Sequence, residues 1–382
     1  MKKLQKIYLA NFLTSGAKKD RPYCFDLVEA GRVVTLESYW KTKAVTDIVE
    51  NHPHIKMFLD SGAHSLINLY STSSGESKEV HGREVFEFSK DDFDALDRNK
   101  QIFYSQRRST SPSEADGKIS KVGAMRAGAS GFVNFDFADS KEVKEFLEKY
   151  IAFVHKYEDR FDVYANLDII FNPEKTLENQ RYMESCGLKP LPVFHFAEDF
   201  KWLIKMIDEY DYIAISGLGA DIKKNDYFQS FGDKVFRYIF ESKQDIKVHG
   251  FAATSMDLLI RYPFYSIDST TWVKMAAYGH VMVPKYNRVT GEFDYSTVPR
   301  IVSVSDVAKY GESNKRYYKD KFSKEDVELI EGYFDKAGVD KELLGSSMFE
   351  RTKVCIFFYL ELSRVGIEVD ETKLMKSSRS FF

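Results

Sequence analysis

Short, continuously apolar runs recur along this chain about every 20–35 residues, each followed by a helical pattern. FDVYANLDII (161–170) leads into PEKTLENQRYMESCG, where Pro173 can open a helix and Gly187 can close it. PLPVFHF (190–196) leads into EDFKWLIKMIDEY, and YIAISGL (212–218) into a helical stretch near 229–243. IKVHGFAA (246–253) leads into TSMDLLIRY, and FYSIDSTTW (264–272) closes the series. Upstream, RVVTLESY (32–39) precedes TKAVTDIVEN, and IKMFLDSG (55–62) reads as the next strand. Strands that are apolar on both faces and alternate with helices predict a parallel sheet covered by helices. YGHVMVP (278–284) supplies a candidate eighth strand. Eight units predict an α/β fold of the (β/α)8 TIM-barrel class over residues 1–300. No GxGxxG follows a strand, which weakens a doubly wound alternative.

Two regions stand outside the rhythm. Residues 66–131 are too long for a βα loop and predict an insertion after the second of the strands counted here. Residues 301–382 predict a C-terminal helical appendage. In it, SKEDVELIEGYFDKAG opens on a Ser323/Asp326 capping arrangement and RTKVCIFFYLELSRVG reads as a buried helix. Between insertion and barrel, SKEVKEFLEKYIAFVHKYED (140–159) spaces Val143, Phe146, Leu147, Tyr150, Ile151, Val154 and Tyr157 as one helical face, with Ser140 as N-cap.

Composition narrows the class. With 382 residues, 43% of them hydrophobic, the chain can bury a large core. The apolar run near the N-terminus is broken by Asn11 and Thr14, and no stretch approaches the ~18 apolar residues of a membrane span. Cys24, Cys186 and Cys355 are widely separated and form no disulfide framework. The expectation is a cytoplasmic protein with no membrane partner. A net charge of −3 excludes a polycationic chain, but local basic stretches can still hold phosphates. The candidates are Arg107 and Arg108 in SQRRSTSPSEADGKISK, PKYNR (284–288), and Lys315 and Arg316 in NKRYYKDK. Solvated loops account for each of them equally well.

In a barrel of this class the carboxyl ends of the strands carry the chemistry. Those ends hold Asp60-Ser61-Gly62, Asp168, His195, Ser216-Gly217-Leu218, His249 and Asp268. A single Asp at a strand exit is often a helix N-cap, and a lone His often a core residue. Three carboxylates and a histidine at corresponding positions favour a functional pocket. Two separated carboxylates suit work at an anomeric carbon, one as nucleophile and one moving the leaving group's proton. His52, His54 and His64 lie near Asp60 but lack the spacing of a metal site, and no GxSxG elbow or phosphate loop occurs.

FLDSGAHS, ANLDII, PVFHF, AISGLGA, KVHGFAATS and YSIDSTTW, in that order, resemble the motif series of the tRNA-guanine transglycosylase superfamily. The likeness covers about residues 30–285 and is strongest to the phage and bacterial DNA-guanine transglycosylases, which insert 7-deazaguanines into DNA. The resemblance implies that Asp268 is the nucleophile at C1′ and that Asp60, in the DSG motif with Ser61 and Gly62, is the general acid/base. It implies that Asp168 hydrogen-bonds the guanine-like edge and that Gly217 and Leu218, after Ser216, offer backbone to the base. His195 sits where the tRNA enzymes carry a base-recognising glutamine.

Two departures matter. The tRNA enzymes continue DSG with Gly-Phe-Gln, where this chain has Ala63-His64-Ser65. They also carry a CxCxxC…H zinc site after the nucleophile strand, whereas only Cys355 lies beyond Asp268 here. No zinc subdomain, no other metal and no cofactor is therefore expected. The expected partners are DNA, with tRNA as the alternative, and a free 7-deazaguanine base of the preQ0 kind. A homodimer is among the states the resemblance allows. The rival readings are a non-catalytic nucleic-acid-binding subunit built on the same barrel and a barrel hydrolase acting on nucleosides or sugars.

Overall fold

The structure is a computed structural model. It describes residues 2–15, 20–66, 139–170, 172–196, 198–217, 226–243, 245–253, 255–305 and 317–369, with the backbone of three strands between 77 and 121. Eight parallel strands form one curled half-barrel sheet surrounded by helices. They are β1 (Lys6–Ala10), β2 (Val34–Ser38), β3 (Met57–Asp60), β4 (Phe161–Tyr164), β5 (Val193–His195), β6 (Tyr212–Ser216), β7 (Lys247–Gly250) and β8 (Ser266–Ser269). Their order is β4-β3-β2-β1-β8-β7-β6-β5. One parallel bridge, Ala165 to Leu191, joins the segment after β4 to the segment before β5.

The eighth strand differs from expectation. His280–Val283 is a strand, but it pairs antiparallel with Arg300–Ser303 in a sheet of its own. The place in the main sheet belongs to β1, KIYLA, whose last four residues are buried. An apolar run shows that a strand is buried but not which strand it pairs with, so the two runs read alike. With β1 counted, the long segment after Asp60 follows the third strand of the sheet. Within it, strands Ser77–Val80, Arg83–Ser89 and Lys118–Lys121 make an antiparallel sheet.

The chain divides into two compact units. The first comprises Met1–Glu37, Lys43–Phe58 and Lys205–Phe382. Here β1 pairs with β2 on one side and with β8 on the other, in the register Tyr8 to Val34 and Asp268 to Tyr8. The turn after β1, with Asn11 at φ 55°, is organised by the wholly buried Glu37. Glu37 accepts from Leu13 N, Thr14 Oγ1 and Thr35 Oγ1 at 2.6–2.8 Å. The C-terminal helix Met348–Val365 packs on the helix Thr271–Ala277 that follows β8. Arg351 donates to the carbonyls of Ala276, Leu344 and Gly345, and Tyr359 receives the hydroxyl of Ser269 at 2.8 Å. The preceding helix, Lys324–Lys336, starts at Ser323, whose hydroxyl accepts from Asp326 N.

The second unit comprises Ser38–Thr42 and Leu59–Ile204. Its long helix, Lys141–Tyr157, is capped by Ser140 and sets Phe146, Tyr150 and Phe153 around the ring of Tyr39. The helix Pro173–Ser185 is unusual in burying polar residues, among them Thr176, Asn179 and Gln180. Those side chains serve irregular backbone. Asn179 donates to Leu167 O, Gln180 to Pro190 O, and Thr176 both accepts from Ile169 N and donates to Ile169 O. Asn166 in turn donates to Thr176 O. Residues 166–169, which carry Asp168, are thus fixed by the polar face of that helix.

Candidate functional site

Five strands of the sheet end on Asp60, His195, Ser216, Gly250 and Ser269; His249 and Asp268 each lie one residue before such an end, and Asp168 lies four residues beyond the end of β4 at Tyr164. These residues form groups within each unit.

In the second unit, Asp60 closes β3 and the chain turns at once. Gly62 adopts φ +82°, and a Cβ there would meet Trp40 N at 2.9 Å, so no other residue fits without displacement. Gly62 N donates to Asp60 Oδ2 at 3.2 Å, and the fully buried Ser61 accepts from Ala63 N. The glycine two residues after the carboxylate is therefore required by the backbone turn itself. Tyr150 lies behind this region and donates its hydroxyl to Ala165 O. Burial first, then the charges of Asp60 and Asp168 with the neighbouring tyrosines, hold its phenol well above its ordinary range.

Asp168 and His195 are brought together. His195 Nε2 lies 2.7 Å from Asp168 Oδ2, and Nδ1 lies 2.8 Å from Glu198 Oε1. Glu198 Oε2 also accepts from the backbone N–H of His195 at 3.1 Å. The side chains of His195 and Glu198 are 4% and 2% exposed, that of Asp168 15%. Burial alone would depress the imidazole. The charge of Glu198 and hydrogen bonds to both carboxylates outweigh it, and the pKa is pushed up to about 10. Glu198 was not among the residues singled out from the sequence. Its spacing of three from His195 was the available signal, masked because Glu198-Asp199 reads as the acidic start of the next helix.

In the first unit, Asp268 is nearly buried, and its Oδ1 accepts from Ala252 N at 2.8 Å. Ala252 adopts φ +51°, an uncommon conformation for a residue with a Cβ, which directs its N–H at the carboxylate. His249 Nε2 stands 3.5 Å from the same oxygen but makes no hydrogen bond. Its Nδ1 pairs with Ser266 Oγ at 2.8 Å, and Ser266 with the hydroxyl of Tyr212 at 2.7 Å. Tyr8, Phe58 and Phe251 surround the ring. Burial depresses the His249 pKa, against the pull of Asp268, so the ring is neutral at neutral pH. The sequence had placed His249 at its strand end without a role. Ser216 closes β6, and Gly217 follows at φ +89°.

Leu218, Arg107, Arg108, Lys315 and Arg316 lie outside the described residues. Among the described residues, no group of three or more His, Cys, Asp or Glu side chains is placed to hold a metal ion. The buried thiols of Cys24 and Cys355 are each pushed up to about 12, chiefly by burial, which leaves them protonated and poor nucleophiles. No helix among the described residues is long and apolar enough to cross a membrane.

Carboxylates at strand exits, one gripped by a backbone amide and one paired to an imidazolium, can supply a nucleophile, a proton carrier and an acceptor for N–H donors. Neither the protein-family models nor the curated proteins contain a match to this chain.

Proposed function

We propose that the protein is a guanine transglycosylase of (β/α)8-barrel architecture that exchanges guanine in DNA for a 7-deazaguanine. The observation that carries this reading is the grip on Asp268, a nearly buried carboxylate held by the amide N–H of Ala252 beside a neutral histidine. Such a carboxylate is fixed in direction and poorly solvated, which suits attack on carbon. The ordered motif series from Asp60 to Asp268 supplies the substrate class.

In this mechanism a guanosine nucleotide is flipped from the nucleic acid. An oxygen of Asp268 attacks C1′, the C1′–N9 bond breaks, and guanine leaves with the electron pair while Asp60 gives it a proton. The incoming 7-deazaguanine then loses its N9 proton to Asp60. Its N9 attacks C1′, and the bond from C1′ to Asp268 breaks. Overall one C1′–N9 bond is exchanged for another of the same kind, so the reaction needs no external energy source. Asp168 receives the N–H donors of the base. Arg107, Arg108, Lys315 and Arg316 are proposed to contact phosphates. DNA is favoured over tRNA because the zinc-ligating cysteines of the tRNA enzymes have no counterpart.

The test is base exchange, with labelled guanine in duplex DNA, single-stranded DNA and tRNA in parallel. Release from DNA that requires a 7-deazaguanine and disappears in Asp268→Asn is expected. Release from tRNA alone would transfer the same chemistry to the other polymer. No release from any of them would leave a binding subunit as the better reading.

A further inference from the structure

The group around His195 carries more than a contact to Asp168. A neutral imidazole has one N–H and one lone pair. Between Glu198 Oε1 at 2.8 Å and Asp168 Oδ2 at 2.7 Å, a neutral ring would turn its lone pair onto one of two carboxylate oxygens. A doubly protonated ring donates to both. Glu198 is 2% exposed and its oxygens are taken by the ring and by the backbone N–H of His195, so it faces inward and offers nothing to a ligand. Asp168 is the member of the trio with 15% of its side chain exposed. Among the described residues, the charge of Asp168 also acts on Tyr150, which stays a neutral phenol engaged with Ala165 O, and the charge of Asp60 acts on the same phenol.

We propose that Glu198 is a positioning residue that locks His195 into donating toward Asp168. Asp168 then remains a one-way acceptor, and the subsite takes planar bases that present N–H donors and turns away bases that present a lone pair there. The inference rests on the base-exchange reading for its ligand class, but the charge arrangement stands apart from it. A protonated Asp168 beside a neutral His195 would accept either edge; the locked trio accepts one. The high His195 pKa is the expected companion of this arrangement.

The experiment uses the full chain labelled with 15N-histidine, the His195 signals being assigned by their loss in His195→Gln. The wild type should show a doubly protonated His195 at neutral pH. Glu198→Gln should lower its titration midpoint by about a pH unit or more. In parallel, calorimetry compares 7-deazaguanine with 7-deazaadenine. The wild type should prefer the former, and Glu198→Gln should weaken it about tenfold, narrowing the preference. A merely structural role would weaken both bases alike and would overturn the selection argument. A neutral His195 in the wild type at neutral pH would overturn the proposal outright. An imidazolium in a protein that binds neither base would reject the guanine reading and the selection with it, while leaving the locked trio in place.

Discussion

His195 and His249 are both buried, yet they titrate in opposite senses: His195 is hydrogen-bonded to two carboxylates, whereas around His249 burial among aromatic rings outweighs the pull of Asp268 at 3.5 Å. A folded-state pKa near 10 means that His195 keeps a proton which the unfolded chain releases above about pH 6.5. Its contribution is full below that value and should be lost as pH rises toward 10. His249 has a depressed pKa, so the unfolded chain binds a proton that the fold does not, and stability should fall as pH drops below about 6.5. Denaturant midpoints measured across pH should therefore decline on both sides, and Glu198→Gln should flatten the alkaline decline. At Asp268 two substitutions separate chemistry from folding. Asp268→Asn keeps an acceptor for Ala252 N and should abolish exchange with little change in thermal midpoint. Asp268→Ala should abolish exchange and also cost about 1–3 kcal/mol, because the amide loses its partner.

Among the elements, the helix Pro173–Ser185 binds backbone carbonyls through polar side chains where most helices bury an apolar stripe. Asn179→Leu should leave Leu167 O unpaired, cost about 1–3 kcal/mol in chemical denaturation, and reduce exchange by loosening the segment of Asp168. The C-terminal helix is tied in the same manner by Arg351, whose three carbonyl acceptors would all lose a donor in Arg351→Met. That change should destabilise by about 3 kcal/mol in the same measurement. These ties explain what the sequence could and could not reveal. Strands β2 to β8 are legible because each lies in a short, mainly apolar run that leads into a helical pattern. The β1 run is not distinguished as a strand: its four successive buried residues have no period, and a positive N-terminus directs attention to leader peptides. The polar face of Pro173–Ser185 was invisible as a face, since its partners are carbonyls, which no sequence pattern displays. Glu198 was hidden for a related reason, its role being defined by a ring three residues back.

For the whole molecule, the sheet order puts β1 between β2 and β8, so that residues far apart in the chain, such as Lys6 and Ser266, lie side by side. The sequence predicted the parallel sheet and the place of Asp60 at a strand end, whereas Asp268 lies inside β8 and Asp168 four residues beyond β4. It missed which strand completes the sheet, because strand pairing is a property of the closed fold and not of any local window. With a net charge of −3, the DNA binding proposed above would rest on local basic stretches of the sequence. Binding of DNA should accordingly weaken steeply with salt, with a slope set by the few phosphates contacted, and combined neutralisation of Arg107 and Arg108 should reduce that slope by about 2. Fluorescence anisotropy over a salt series measures it.

The pairing of β1 with β8 sets Asp268 opposite Tyr8 and Ser269 opposite Leu9. A ribosome releases residue 8 long before residue 268 exists. The early strands must therefore wait, with one edge unpaired, through most of synthesis, and the direction in which Asp268 points is decided only when the last strand slides in beside the first. A one-residue slip there would turn Asp268 to the opposite face of the sheet. The placing of Asp268 is in that sense a late event of translation, prepared by the strand that ends at Ala10 and completed only after Ser269 has been made.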